Sequence, residues 1–297
     1  MGKKIWYSRP LDFFWEEMYG KQKKYTPQLT DEQIFLVLRN NILKSMGINS
    51  EETEPNELIL SGLTLWNEDL KGNFLHVFLL HKKLRDFLEN TSISDLDGIR
   101  EYLYKNGKNV ELTYIQTKSS TNVVVYNFGL HIPYETHGYA FELCLYEDKS
   151  IELYFSQGDS NGRMSDKFYS GLIKKEDQKS QALCKYFRLA INTIAYMKCF
   201  PECVIDGVPK ITLDREEGRS ENRNFMVGMS EKILESYDQK KSKVPHFRKG
   251  FFRLLKSDYF SHKKGQLIYV TETMVKGIAK SVSTSDELHK FKDYNTK

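Results

Sequence analysis

At Gly107 the apolar residues of this chain change their period. Before it they recur every three or four positions, and after it they alternate while β-branched and aromatic residues become dense. A chain of 297 residues built this way is confined to the α+β class. The expected architecture is a helical N-terminal region, then a central antiparallel sheet covered by a long helix, then a small basic C-terminal unit containing β-structure.

Local signals fill in the elements. Thr30 and Gln33 have the spacing of a capping box, and Ile34, Val37, Leu38, Ile42 and Leu43 follow at helical intervals, so a helix is predicted over 31–46 with Gly47 as its stop. A second helical stripe is read over 73–89 from Leu75, Phe78, Leu79, Leu84 and Phe87, and a short third helix carries Ile99, Tyr102 and Leu103. Strands are predicted over 110–117, 121–132, 139–146 and 151–156, the last two joined by the polar tetrapeptide 147–150. Residues 157–162 have strong loop composition. A long helix over 175–200, ended by Pro201, is expected to cover the sheet. Asp206-Gly207 marks a turn, 214–223 reads as a linker, and 226–237 reads as a further short helix. The domain organisation that follows is 1–107 mainly helical, 108–213 a central α+β core, 224–280 a basic unit and 281–297 a polar tail. No proline- or glycine-rich linker marks the first boundary, so 1–107 either stands apart or packs on the sheet.

Composition removes several classes. Four cysteines, the closest pair being Cys199 and Cys203, do not make a disulfide framework. The first residues lack the apolar segment of a signal peptide, and the apolar run from Phe74 to Leu80 is far too short for a membrane span. A cytoplasmic protein without membrane contact is expected.

The common phosphate loops, nucleophile elbows and zincin motifs are absent from the sequence. His131 and His137 flank Glu135, a metal or acid-base set in principle, or simply polar residues at strand ends. Cys199 and Cys203 have no histidine near them and read as structural thiols. Glu51-Glu52 and Glu216-Glu217 fall in polar stretches and read as solvated surface rather than catalytic dyads. No cofactor and no metal are expected.

Charge is the stronger functional signal. Between Lys240 and Lys280 there are eleven basic residues against Asp258 and Glu272, a local +9 in a chain of net +4. Such a segment attracts a polyanion or an acidic protein face. Within it, His246, Arg248, Lys249 and Arg253 interleave with Phe247, Phe251 and Phe252, and His262, Lys263 and Lys264 follow as the turn of a hairpin, with Lys256 between. Cations on phosphates and rings on unpaired bases are the chemistry of an RNA surface. The alternative is that the phenylalanines form the core of a small β unit while the basic residues face water.

The same segment resembles a known family, the phage- and plasmid-borne proteins typified by a type V-A anti-CRISPR that lowers the transcript of its target nuclease. The likeness is carried by Val227-Gly228, Pro245-His246-Phe247-Arg248, Gly250-Phe251-Phe252, Gly265 and Val275-Lys276-Gly277. Upstream, Leu130-His131-Ile132-Pro133, Gly138-Tyr139-Ala140-Phe141 and the stretch from Cys199 to Pro209 extend it over roughly 121–280. Where that family has His-Trp after its glycine or alanine, this chain has Phe251-Phe252, so any role of that histidine is absent or moved to His262. The resemblance implies recognition of a target protein's nascent chain at the ribosome, coupled to loss of its messenger RNA.

The expected function is therefore a non-enzymatic, mobile-element-encoded regulator or anti-defence protein. It would bind a protein target or nascent chain and contact RNA through His246, Arg248, Lys249, Phe251, Phe252, Arg253, Lys256, Lys263 and Lys264. Two alternatives stand beside it. One is a ribonuclease or toxin using His246, Arg248 and His262, and the other is an RNA-independent inhibitor gripping an acidic protein face.

Overall fold

The computed structural model describes residues 5–45, 47, 49, 61–114, 119–157, 163–168, 180–209, 223–231, 233–234, 247–248, 250–271 and 273–274. A π-helical stretch, Phe13–Gly20, runs into α1 (Lys21–Tyr25) and is followed by α2 (Asp31–Ser45) and α3 (Ser61–Leu70). The capping box of α2 closes in both directions: Thr30 N–H donates to Gln33 Oε1 at 2.9 Å, and Gln33 N–H donates to Thr30 Oγ1 at 3.2 Å.

Next come β1 (Leu75–Leu79), α4 (Lys82–Asn90) and α5 (Leu96–Asn106). The single helix expected over 73–89 is thus a strand and a shorter helix. The reason is burial: β1 lies parallel to two neighbours in the middle of the sheet, and Val77, Phe78 and Leu79 are each 0% exposed. A strand covered on both faces has no polar alternation to betray it. Residues 75–79 of the N-terminal region are therefore integral to the sheet.

The predicted meander is present as β2 (Lys108–Tyr114), β3 (Ser119–His131), β4 (Tyr139–Leu145) and β5 (Ile151–Gln157), extended by β6 (Arg163–Phe168), which sequence periodicity did not indicate. Then follow α6 (Ser180–Cys199), β7 (Val204–Asp206) and β8 (Arg223–Val227). Gly207 has φ +116°, in the region that favours glycine, so the Asp-Gly turn is realised. Met226 and Val227 end β8, and helical bonding resumes only at Ser230, whose carbonyl accepts from Leu234 N–H at 3.0 Å; the helix expected over 226–237 begins later for that reason. The loop expected at 157–162 and the linker expected at 214–223 lie outside the described residues except for Gln157, which ends β5, and Arg223, which opens β8.

The protein is α+β. Among the described residues eight strands form one sheet in the order β6-β5-β4-β3-β1-β8-β7, and β2 pairs with β3. The sheet is mixed rather than antiparallel, because β1 runs parallel to both β3 and β8. β3 is long enough to serve two partners along one edge: Ser119 to Val125 pair with β2, and Phe128 to His131 pair with β1.

Alternation along the strands divides the interior. Phe128, Leu130, Phe141, Leu143, Leu153 and Phe155 face one core with Leu84, Phe87, Ile99, Phe187, Ile191 and Tyr196 from α4, α5 and α6. The long helix covers this face as expected. Asn192 of α6 donates to the carbonyls of Leu88 and Thr91 at 2.8 and 3.1 Å, which satisfies backbone acceptors at the end of α4. The opposite face packs Ala140 against Leu11, Phe14, Trp15, Ile34 and Trp66 of the N-terminal helices.

The C-terminal strands pair antiparallel. β10 (Phe251–Leu254) pairs with β11 (Leu267–Val270), and β9 (Phe247–Arg248) pairs with β12 (Thr273–Met274). Among the described residues these are two separate two-stranded sheets, whose pairings Phe251↔Val270 and Arg248↔Thr273 share one register. Phe252, Leu254 and Leu267 belong to the main core, which makes the β10–β11 hairpin continuous with the helical layer over the sheet.

Candidate nucleic-acid interface

The base of the hairpin is built to stay in place. Leu254 N–H donates to Asp95 Oδ2 at 3.0 Å, Ser92 N–H donates to the Gly250 carbonyl at 3.2 Å, and Lys256 Nζ lies 2.6 Å from Glu101 Oε2 on α5. Phe252 is 0% exposed, and its ring lies 5.2 Å from that of Tyr269, which also meets Phe87 and Phe200. Gly250 has a steric reason, since a Cβ there would overlap the Tyr269 hydroxyl. Burying one phenylalanine contributes about 1.5–3 kcal/mol, so Phe252 is a core residue here and not a surface for stacking a base.

Beyond Leu254 the hairpin opens into a long connection. Ser257 caps a 3₁₀ turn, Asp258–Phe260, accepting from Tyr259 N–H at its Oγ, and Gly265 closes the loop in a left-handed conformation with φ +83°. Lys256, Tyr259, His262, Lys263 and Lys264 are all exposed on it, and Arg253 is exposed on the adjoining strand. Lys264 pairs with Asp258 inside the loop, while Lys256 is held by Glu101. His262, Lys263 and Lys264 lie in the connection between the two strands, beyond Leu254 rather than alongside residues 247–248.

The other expected site residues are placed less fully. Phe251 is half-buried and bridges to Ser92. Arg248 is placed by its backbone in β9, and His246 and Lys249 lie outside the described residues. Arg248 and Leu254 are six steps apart along the strand, about 20 Å at the usual rise, and the loop bearing His262 opens beyond Leu254. The backbone of Arg248 and the loop bearing His262 thus lie at opposite ends of the paired strands.

Among the described residues no group of three or more His, Cys, Asp or Glu side chains is arranged to hold a metal ion. The His131, Glu135 and His137 set is not formed. Glu135 is turned to Lys82 and Arg85, at 2.7 and 3.2 Å, while His131 points into the second face of the sheet. Its partner there is one that sequence reasoning missed: His131 Nε2 lies 2.9 Å from His76 Nδ1, and His76 Nε2 lies 3.0 Å from Asp69 Oδ1. The bonds are satisfied when His76 donates to Asp69 and accepts from the Nε2–H of His131. Trp15 Nε1 donates to Asp69 Oδ2 at 2.8 Å, and Arg9 stands over the Trp15 ring with Nη2 3.8 Å from the same oxygen.

Burial first, and then the neighbouring Arg9, hold the His131 imidazole well below its usual range. Burial alone would push Asp69 up, but the His76 contact, then Arg9 and Trp15, leave it below the usual carboxylate range. With Asp69 and His131 at 0% and His76 at 3% exposure, no solute touches this chain of groups in the folded protein. It fastens the N-terminal segment and α3 to β1 and β3. No spacing rule links His76 to His131, 55 residues apart, and only the parallel pairing of β1 with β3 brings them together.

Cys199 is a structural thiol, as its sequence context suggests. Its Sγ donates to the Leu267 carbonyl at 3.2 Å, and burial pushes its pKa up to about 12, so no thiolate forms near neutral pH. Among the described residues no helix is long and apolar enough to cross a membrane.

The fold and this surface define a class, an α+β protein whose C-terminal hairpin presents an aromatic and basic loop from a rigid base. No family model, no curated protein and no solved structure matches the chain. The resemblance drawn from the C-terminal signature rests on the order and spacing of its residues. Of those residues, Val227 and Phe252 are buried, Gly250 makes room for Tyr269, Gly228 N–H donates to the Cys203 carbonyl, and Gly265 closes the loop. These described parts of the signature build the scaffold, and the exposed chemistry lies in the loop between them.

Proposed function

We propose that the protein is a non-enzymatic regulator of the anti-defence kind that contacts RNA through its C-terminal hairpin and binds a protein target or nascent chain with the remainder, lowering expression of that target. The observation that carries the RNA contact is the joint exposure of Arg253, Tyr259, His262 and Lys263 on and beside one anchored loop. Cations there neutralise phosphates, and the loop's position at the end of a fixed hairpin lets it reach a backbone without unfolding the core. The mobile-element origin and the effect on a target's expression come from the C-terminal resemblance alone.

The test is equilibrium binding of the full chain to a mixed-sequence single-stranded RNA across a salt series, compared with the double variant Arg253→Ala/Lys263→Ala. A steep negative salt slope is expected, made shallower by about 1.4 in the variant if each cation neutralises one phosphate of a single strand. No binding at low salt, or a slope unchanged in the variant, overturns the RNA contact. In that event an acidic protein face becomes the ligand of the hairpin.

A further inference from the structure

Tyr259 is 88% exposed, more than Tyr25 at 82% and far more than Trp6 at 46%. A ring left in water gains nothing from burial and keeps a face open to a ligand. The backbone beneath it is built with care. Tyr259 N–H donates to Ser257 Oγ at 3.3 Å, Phe260 N–H to the Ser257 carbonyl at 3.1 Å, and Lys263 N–H to the Phe260 carbonyl at 2.7 Å. Gln266 N–H then donates to the Lys263 carbonyl and Gly265 N–H to that of Leu255, at 3.0 and 2.7 Å, which shuts the loop against the hairpin. Phe260 meets the Tyr259 ring edge-on, at 5.3 Å and 88°.

From this we infer that Tyr259 is a base-stacking residue and that the ligand of the loop is unpaired RNA rather than duplex. The inference rests on the RNA contact proposed above and names the ligand class and a residue that the basic pattern of the sequence did not single out. A base inside a duplex has no free face, whereas an unpaired base offers one to the Tyr259 ring while Lys263 and Arg253 reach the flanking phosphates.

Tyr25 supplies an internal control. It is exposed to a similar degree but lies at the end of α1, outside the hairpin.

The experiment measures binding of the full-length protein to a 20-nucleotide oligouridylate and to an RNA duplex of the same length across a salt series, the two RNAs being compared at equal ionic strength. The variants are Tyr259→Ala, Tyr259→Phe and Tyr25→Ala, with thermal denaturation of each. The expected result is at least tenfold preference for the single strand and a loss of roughly five- to hundredfold in Tyr259→Ala, the size of one stacked base. Tyr259→Phe and Tyr25→Ala should bind as the parent does, and the salt slope of Tyr259→Ala should be unchanged because no ion pair has been removed. Equal affinity for single strand and duplex, or full affinity in Tyr259→Ala with the salt slope intact, overturns the stacking assignment and leaves a charge-driven RNA contact standing. Failure of the parent protein to bind either RNA at low salt overturns both.

Discussion

The backbone N–H of Leu254 donates to the carboxylate of Asp95 at 3.0 Å, across 159 residues of sequence. Asp95 is the residue before α5, where its side chain would ordinarily cap the helix; it makes no such bond and serves the hairpin instead. One carboxylate therefore couples the C-terminal strand to the helical layer on the sheet.

Asp95→Ala should release that coupling. A hydrogen bond to a charged acceptor contributes about 1.5–3 kcal/mol, so the variant should lose that much stability in chemical denaturation. Faster amide exchange at Leu254, with exchange in β4 unchanged, would place the loss in the hairpin. Unaltered protection of Leu254 would show that the bond contributes nothing.

Gly250→Ala should destabilise by about 1–3 kcal/mol through overpacking, because the new methyl group overlaps the Tyr269 hydroxyl and crowds the Val270 carbonyl. Adding Tyr269→Phe removes the clashing oxygen and should restore part of the melting temperature. A double variant no better than the single one would shift the cause from Tyr269 to the backbone.

Glu142 gives the protein an alkaline sensitivity. Its side chain is buried on the second face of β4, and burial, with the repulsion of Glu152 and Glu68, pushes its pKa from the ordinary 4.5 to about 7 despite the contacts of Cys144 and Asn127. A pKa raised by folding favours the native state below the unfolded value and loses that advantage as pH climbs through the folded one. Stability should therefore fall between about pH 4.5 and just above 7, by roughly 3 kcal/mol at 1.36 kcal/mol per unit. Glu142→Gln should flatten this profile and melt above the parent at pH 8. A parent profile flat from pH 5 to 8 would contradict it.

Asp69 acts in the opposite direction. Its carboxyl is held below the usual range by His76, Arg9 and Trp15 against the effect of its burial, so its contribution is present above the unfolded pKa and is lost as pH falls through the lower folded one. Asp69→Asn replaces the charged acceptor of His76 and Trp15 by a neutral amide, and a loss of about 1.5–3 kcal/mol at pH 7 is expected, the size of a hydrogen bond to a charged group. The acid limb of the variant's denaturation profile should be shallower than the parent's. Because Arg9 and Trp15 also lose an anion, proteolysis should cut the variant first near its N-terminus.

Local elements were legible wherever a residue's own neighbours decide its conformation. The capping box of α2, the short α5, the meander from β2 to β5 and α6 all follow from period, cap and turn chemistry within about twenty residues. β1 was hidden because its run of buried residues satisfies a helical stripe as well as a strand, and the placing of β8 beside it because β1 lies well over a hundred residues earlier.

The functional surface divides in the same way. Charge and aromatic content pointed to the C-terminal segment, since those are sums over sequence. Which ring lies inside and which outside is not such a sum. Phe252 is 0% exposed because Tyr269, Phe87 and Phe200 enclose its side of the hairpin, and Tyr259 is 88% exposed because a capped turn carries it past the end of the ladder. The α+β class, the main local elements and the basic character of the C-terminus follow from periodicity and charge, which are properties of neighbours along the chain. The tertiary structure decided the parallel strands at the centre, the Asp69–His76–His131 connection and the aromatic residue that meets solvent, because each depends on groups that only folding brings into contact.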